Sequence, residues 1–296
     1  MFDYLLHKSF KHLFLALIVC ALGWGIWSYI NTASLLNNEE APTLTPQENF
    51  INFILQRSET SNEQILQQRQ ELLGLYSKFE NEQRISLRDR HWLAQLAAVY
   101  QIKSPDFSDP TTWDELVSRV DVIPNSLVIA QAIQESGWGQ SRFAKEGNNY
   151  FGMWCYGNDC GGSLVPDQRA QGQDYALQTF STPLVSVQDY MRNLNTHFSY
   201  QQFRDLREKL REQHDLVTGL ALAPALVDYS GQRGEYVVKI TRIIRNYSLT
   251  QYDDVQTVSN SSYLAQKIRQ QFDIDPTLPL LPQMIAPDND QDASAW

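Results

Sequence analysis

An apolar run without a charged residue, Leu13 to Ile30, is the feature that most constrains how this chain can fold. Its length reaches the lower limit for a helix that crosses the hydrocarbon core of a bilayer. Two lysines precede the run and two glutamates follow it, which favours a cytoplasmic amino terminus. We therefore expect a cytoplasmic stub at residues 1–12, a transmembrane signal-anchor at residues 13–30, and the rest of the chain outside the cytoplasm.

A cleaved signal peptide and a buried core helix are the alternatives for this run. The residues Trp-Ser-Tyr-Ile close the run, so no small-x-small cleavage site is obvious after it. A mature protein that starts near Ala33 would contradict the anchor.

The composition and net charge of the chain limit the kinds of molecule that it can be expected to bind. The chain has 296 residues, 43 % of them hydrophobic, and a formal net charge of −10. This length and apolar content allow one sizeable domain with accessory segments, or at most two domains. Nucleic-acid binding begins with the neutralisation of phosphates, so the acidic balance argues against a nucleic-acid partner.

Apolar residues at helical spacing recur along the chain and predict a mainly α protein. Residues 31–47 contain two prolines and many polar residues, which indicates a linker. We expect residues 48–120 to form amphipathic helices that pack on the main domain, with a membrane-proximal stalk as the alternative. From Cys155 to Thr182, glycines and short apolar runs indicate a small irregular or β lobe. Residues 251–296 are predicted to be a polar tail.

The cysteines Cys155 and Cys160 form a C-x4-C pair among glycines. This spacing can close a small disulfide loop in an oxidising compartment. The pair could also be half of a metal site, but a second Cys/His pair is missing. We therefore predict a disulfide, with neither a metal nor a cofactor.

The clearest chemical signal lies at the end of the helix predicted for Asn125 to Ser136. Glu135 falls on the apolar stripe of this helix, where desolvation and the helix dipole both disfavour its charged form. A carboxyl group that stays protonated near neutral pH can donate its proton to a leaving glycosidic oxygen. The alternative is a surface Glu135 paired with Arg142 or Lys145.

Aromatic residues cluster just after Glu135 and are interleaved with amides and glycines. Such aromatic faces flanked by amides commonly bind sugar rings, although ordinary core packing is the alternative. The predicted substrate-binding residues of this stretch are Trp138, Asn148, Asn149, Tyr150, Phe151 and Trp154.

The segment QAIQESGWGQSRFAKEGNNYFGMW resembles the signature of the glucosaminidase domain of glycoside hydrolase family 73. Over Gln47 to Leu249 the chain also resembles the bacterial Bax-type proteins, through VDVIPNSLVIAQAIQESGWG and YSGQRGEYVVKITRIIRNYSL. The resemblance implies a lysozyme-like α+β domain at residues 121–250, with a helical lobe and a small irregular or β lobe. It also implies that peptidoglycan glycan strands are the substrate. Together with the anchor, this predicts a single-pass inner-membrane protein with its catalytic domain in the periplasm.

The resemblance further implies roles for individual residues. Glu135 matches the catalytic acid of the family. Tyr229 matches a tyrosine placed near the cleft and is predicted to be a further catalytic residue. Tyr236 belongs to the same motif and is predicted to contact substrate or to be structural. The residues Asn148, Asn149, Phe151 and Gly152 match the loop that leaves the catalytic helix.

A second catalytic carboxylate is harder to place. Asp159, Asp167 and Asp174 are candidates, but none stands in a motif that aligns with the family. We take Asp174 as the candidate base because inverting hydrolysis needs a carboxylate that activates water. Without one, the acetamido group of the substrate could take part. Asp189 lies on a predicted helix and is expected to be structural.

Three functions remain open. The first is hydrolysis of β-1,4 bonds after N-acetylglucosamine in peptidoglycan. The second is lytic transglycosylase chemistry on the same fold, with one Glu as both acid and base. The third is a membrane-anchored cell-wall binding or scaffold protein without catalysis.

Overall fold

A computed structural model describes residues 24, 27–28, 44–82, 84–156, 162–167, 169, 172, 174–213, 215–227, 229 and 234–253. Most of the predicted signal-anchor and nearly all of the predicted tail lie outside these residues. Within the part of the chain that is described, no helix combines the length and the apolar character needed to span a bilayer.

The described chain is mainly helical, with one small sheet. Its α-helices are α1 Pro46–Glu82, α2 Leu87–Val99, α3 Pro110–Arg119, α4 Asn125–Ser136, α5 Arg142–Gly147, α6 Pro183–Thr196, α7 Gln201–Glu212, α8 Gly219–Leu222 and α9 Gly234–Asn246. Its 3-10 helices are Phe198–Tyr200, Ala223–Leu226 and Leu249–Tyr252. The strands β1 Trp154–Tyr156, β2 Ser163–Leu164 and β3 Tyr175–Gln178 form an antiparallel sheet in the order β1-β3-β2. The predicted mainly α class with a small β lobe is thus confirmed.

Several helices begin where the local sequence caps them. Asp109 and Thr182 each precede a proline at the first turn of a helix, where the fixed φ of proline is already helical. The Asp109 side chain accepts from the Thr111 amide at 2.9 Å, and the Thr182 hydroxyl accepts from the Val185 amide at 3.3 Å. Each cap satisfies an amide that has no partner inside the helix, which fixes the starts of α3 and α6.

Two apolar cores share the long helix α1. Its first half contributes Ile51 and Ile54 to the main core, whose centre is the almost wholly buried α4. Its second half contributes Leu72 and Phe79 to a second core with α2 and α3, built around the fully buried Trp113. Helix α1 thus ties the segment before residue 121 to the main domain.

Buried polar contacts join α1 to the start of α4. Ser58 donates to the Asn125 side-chain oxygen at 2.5 Å, and Asn62 donates to the same oxygen at 3.0 Å. Asn62 also pairs with the main chain of Ile123, donating to its oxygen at 2.9 Å and accepting from its amide at 3.1 Å. Because buried amides must find partners, these bonds fix the register of α1 against α4.

A buried ionic cluster lies where α3 meets α1 and α7. Asp121 is 3 % exposed and accepts two bonds of 2.6 Å from Arg211, with Arg69 and Arg207 each 3.6 Å away. Burial raises the pKa of Asp121, but the charges of Arg211, Arg69 and Arg207 outweigh it and hold the pKa well below its ordinary range. The carboxylate therefore stays ionised and joins the three elements.

Candidate active site

Glu135 lies in the last turn of α4, with its side chain half-buried at the edge of the main core. Gly137 ends the helix in the left-handed conformation at φ 57°, which glycine adopts without steric cost. Trp138 also has a positive φ, 62°, so the chain reverses sharply after Glu135. Helix α4 is buried over most of its length, and this fixes the position of the Glu135 backbone.

The surroundings of Glu135 favour its protonated form. Burial raises the pKa of Glu135, while a hydrogen bond from Tyr236 and the charge of Lys239 lower it. Burial prevails, so the pKa lies above its ordinary value of 4.5. In the described structure Arg142, one of the two alternative partners of Glu135, pairs instead with Glu146 and Asp167.

A chain of buried hydrogen bonds runs inward from Glu135. The Tyr236 hydroxyl bonds Glu135 and accepts from Gln131 Nε2 at 2.8 Å. Gln131 Oε1 in turn accepts from the Tyr190 hydroxyl. Gln131 and Tyr190 are fully buried, and Tyr236 is nearly so. We call the residues Tyr236, Gln131 and Tyr190 the relay.

Tyr229, the predicted cleft tyrosine, lies beside the relay. Its ring stacks on Tyr236 with centroids 5.4 Å apart, and its hydroxyl donates to the Phe151 carbonyl at 3.1 Å. Burial raises the pKa of Tyr229 well above its ordinary value, and nearby Tyr236, Tyr190 and Glu135 add to the rise. The hydroxyl therefore keeps its proton and ties the loop after α5 to the site.

The loop after α5 passes directly over Glu135 at Gly152. A Cβ added there would lie 3.5 Å from Glu135 Oε2, and the φ of +63° favours glycine. The loop approaches the carboxyl group closely at this position. Phe151, the residue before it, is buried and stacks on Tyr190 at 4.0 Å, which anchors the loop.

The side-chain amides of Asn148 and Asn149 form hydrogen bonds with main-chain groups. Asn148 donates to the Phe180 carbonyl at 2.9 Å. Asn149 is 2 % exposed and binds the main chain of Met153 and Gln178, with each distance 2.9 Å. These bonds hold the small sheet against the helical lobe. Direct contact of either amide with glycan stays a prediction.

Trp138 and Tyr150 pack against α1. Phe50 lies 5.9 Å from the Trp138 ring and 6.3 Å from the Tyr150 ring, and Tyr247 meets Trp138 at 4.9 Å. Tyr150 is 9 % exposed and also contacts Phe53 at 5.5 Å. The structure thus gives both predicted substrate-binding residues a packing role, and their contact with glycan stays a prediction.

Exposed aromatic rings line the small sheet. Trp154 is 48 % and Tyr156 is 72 % exposed, and both lie on the same face of β1. Tyr175 on β3 is paired with Tyr156 and meets the Trp154 ring edge-on at 5.3 Å. Trp154 is two residues from Gly152, and two residues span at most about 7 Å, so its backbone borders the Glu135 site.

The candidate second carboxylates differ in setting. Asp174 is exposed and directly precedes β3, whereas Asp167 is exposed and pairs with Arg142 at 3.2 Å. Asp159 lies outside the described residues. Asp189 pairs with Arg192 one turn along α6, a structural contact. The assignment of Asp174 as the base stays a prediction.

Cys155 on β1 is disulfide-bonded, and Cys160, its predicted partner, lies outside the described residues. Within the described ranges, no group of three or more His, Cys, Asp or Glu side chains could hold a metal ion.

Sequence reasoning did not single out Gln131, Tyr190 and Lys239 as site residues. Gln131 stands one turn before Glu135 on α4, so helical spacing alone could have placed it on the same face. Tyr190 and Lys239 come from α6 and α9, and no local pattern links them to Glu135. Only the tertiary fold shows that they belong to the site.

Comparisons with known proteins place the chain in a family. Residues 111–249 match the Glucosaminidase family, described as mannosyl-glycoprotein endo-beta-N-acetylglucosaminidase. The chain is 32 % identical over 226 residues to "Protein bax" of Escherichia coli (strain K12), covering 76 % of each chain. It is 28 % identical over 162 residues to "Exo-glucosaminidase LytG" of Bacillus subtilis (strain 168), covering 52 % of this chain and 54 % of that protein.

One solved structure is also similar, the catalytic domain of the autolysin Auto from Listeria monocytogenes. The match has 19 % identity and a TM-score of 0.40, and it covers 75 % of this chain and 96 % of the other. On the similarity to Protein bax and the match to the Glucosaminidase family, the chain belongs to the Bax-type proteins that carry a glucosaminidase domain.

Proposed function

We propose that this protein is a peptidoglycan hydrolase, an endo-β-N-acetylglucosaminidase in which Glu135 is the general acid. The observation that carries the proposal is the setting of Glu135 at the end of the buried helix α4, with a pKa raised by burial. The glucosaminidase domain supports glycosidase chemistry. The name of the Bacillus relative supports glucosaminidase activity as well.

The geometry supports proton transfer from Glu135 to the substrate. Protonated Glu135 gives its proton to the leaving glycosidic oxygen, and the resulting carboxylate accepts the hydrogen bond from Tyr236. The nearby charge of Lys239 stabilises the same carboxylate. Tyr229 contributes by holding the loop at Phe151, next to Gly152, over the acid.

The water-activating base is proposed to be Asp174, which lies at the exposed start of β3. Hydrolysis with inversion uses two carboxyl groups about 6.5–9.5 Å apart, with a water molecule between them and the substrate.

A lytic transglycosylase is the second candidate, and one observation favours it. The groups that shift the pKa of Glu135 in the described structure are Tyr236 and Lys239, and no carboxylate is among them. A single Glu that acts as acid and then as base fits this setting. The products separate the two reactions, because only transglycosylation leaves anhydromuramyl ends.

The exposed face of the small sheet is proposed to contact the glycan. Trp154, Tyr156 and Tyr175 offer ring faces beside the loop that covers Glu135. Aromatic rings present a large apolar surface at little cost in conformational entropy, and the apolar faces of sugar rings can stack on them.

The cellular setting is proposed to be the periplasmic side of the inner membrane, with residues 13–30 as the anchor. The uncharged run and its flanking charges support this orientation. Extraction of cell membranes with alkaline carbonate tests it: an anchored chain stays in the pellet, and release into the supernatant contradicts the anchor.

The function is tested by incubating the protein with purified peptidoglycan and analysing the soluble products by mass spectrometry. Reducing N-acetylglucosamine ends would support hydrolysis, and anhydromuramyl ends would support the transglycosylase. Binding without any soluble product, unchanged in Glu135→Gln, would support a scaffold protein and contradict both enzymes.

A further inference from the structure

Gln131 occupies a buried position between two tyrosines, and both ends of its amide are engaged. Its Nε2 donates to the Tyr236 oxygen at 2.8 Å, and its Oε1 accepts from the Tyr190 hydroxyl. The side chain is completely buried. Gln131 comes from α4, Tyr190 from α6 and Tyr236 from α9, so three helices meet at this amide.

We propose that Gln131 is a positioning residue that directs the hydroxyl proton of Tyr236 onto Glu135. A tyrosine hydroxyl carries one proton, which it can donate once. Because Gln131 Nε2 already donates to the Tyr236 oxygen, that single proton is left for Glu135. The direction of the hydrogen bond from Tyr236 to Glu135 is independent of whether Glu135 is catalytic. Its catalytic consequence rests on the proposed function.

Tyr190 fixes the orientation of the Gln131 amide. A glutamine amide that turns by half a rotation exchanges its donor and its acceptor. In the turned amide, Oε1 would accept the Tyr236 proton, and Glu135 would lose its donor. The Tyr190 hydroxyl opposes this exchange because it donates to Oε1, and its ring is held by stacking on Phe151 at 4.0 Å with an interplanar angle of 9°.

The relay affects the pKa of Glu135, which must be protonated before the reaction and must then release its proton. The bond from Tyr236 stabilises the carboxylate of Glu135, and so it opposes the rise in pKa that burial causes. One carboxyl oxygen accepts this bond, which leaves the other to carry the proton toward the substrate. The relay thus fixes both the orientation of the acid and the pH range in which it is protonated.

Tyr190→Phe in the full-length protein is the test, because it removes the hydroxyl that fixes Gln131 and keeps the ring that stacks on Phe151. We expect the pKa of Glu135 to rise by about one pH unit, measured by carbon-13 NMR titration of labelled glutamate in detergent. The signal is assigned by its loss in Glu135→Gln. The basic limb of kcat/KM moves up by the same amount, because the acid keeps its proton to higher pH.

Tyr100→Phe is the matched control. Tyr100 is also buried, and its hydroxyl also donates to a glutamine oxygen, that of Gln68 at 2.9 Å, away from Glu135. This variant should leave the Glu135 titration unchanged. If the Tyr190 hydroxyl had only a structural role, Tyr190→Phe would lower stability, as Tyr100→Phe is expected to do, and would leave the Glu135 titration unchanged.

The inference is overturned if Tyr190→Phe leaves the pKa of Glu135 unchanged. Tyr236→Phe keeps the test decisive should Tyr190→Phe fail to fold. It removes the donor itself and must raise the same pKa by at least as much, and an unchanged pKa in this variant also overturns the inference. The NMR titration does not need activity, so its result is separate from whether Glu135→Gln abolishes lysis.

Discussion

The contact between Gly219 and the start of α4 yields a prediction whose size follows from distances. A Cβ added at Gly219 would lie 2.2 Å from Ser126 Oγ and 2.8 Å from the Leu127 backbone nitrogen. Ordinary contacts of a Cβ begin at 3.4 Å. The main chain at the start of α4 must therefore move in Gly219→Ala.

Two costs add in this variant. Overpacking a filled core costs about 1–3 kcal/mol. The movement also stretches the bonds from the Gly219 amide to Ser126 Oγ and Asp253 Oδ2, both 3.1 Å, and a lost hydrogen bond costs about 1 kcal/mol. We expect Gly219→Ala to lower the free energy of unfolding by about 2–4 kcal/mol.

Urea unfolding of the full chain, followed by tryptophan fluorescence, measures this change. Gly74→Ala is the matched control, because Gly74 lies inside α1 with nothing within 4 Å of an added Cβ. In a helix interior the same substitution should raise stability by about 0.5–1 kcal/mol. Equal unfolding midpoints for Gly219→Ala and the wild type would refute the reasoning.

Two further variants test the ionic cluster and the sheet face. Asp121→Asn removes the carboxylate that faces three buried arginines. We expect this variant to lower the free energy of unfolding by about 3–5 kcal/mol. An unchanged urea midpoint would contradict this prediction. Trp154→Ala removes an exposed ring beside the site and should weaken binding to insoluble peptidoglycan about tenfold, or ~1.4 kcal/mol. Leu87→Ala, equally a change at an exposed apolar side chain, should not weaken this binding, and equal losses in both variants would count against the sheet face.

Local sequence was sufficient to predict the bounds of α4, the helix that carries Glu135. The stretch predicted as a helix, Asn125 to Ser136, agrees with the bounds of α4, because its apolar residues keep the helical period and Gly137 supplies the left-handed end. Helix α1 was harder to predict. It continues through a polar stretch in which Ser58 and Asn62 are buried, and they are buried because they bond Asn125, far along the chain.

Only those parts of the site that lie close together in sequence could be predicted. Glu135 and the loop at Gly152 follow from residues close in sequence, and the structure places them together. The relay could not be predicted in this way, because Tyr190 and Tyr236 reach Gln131 from distant helices. Periodicity within α4 predicted that burial raises the pKa of Glu135, but the opposing contributions of Tyr236 and Lys239 come from a separate helix and could not be predicted from it.

The rate of peptidoglycan solubilisation by Glu135→Gln tests the central claim most directly. The amide has nearly the same shape but cannot donate an acidic proton, so we expect the rate to fall by about 10²–10⁴-fold while the urea midpoint stays near that of the wild type. Glu146→Gln is the control, because Glu146 is an exposed residue of α5 that pairs with Arg142, and it should keep its activity. A Glu135→Gln variant that solubilises peptidoglycan at the wild-type rate would contradict the account.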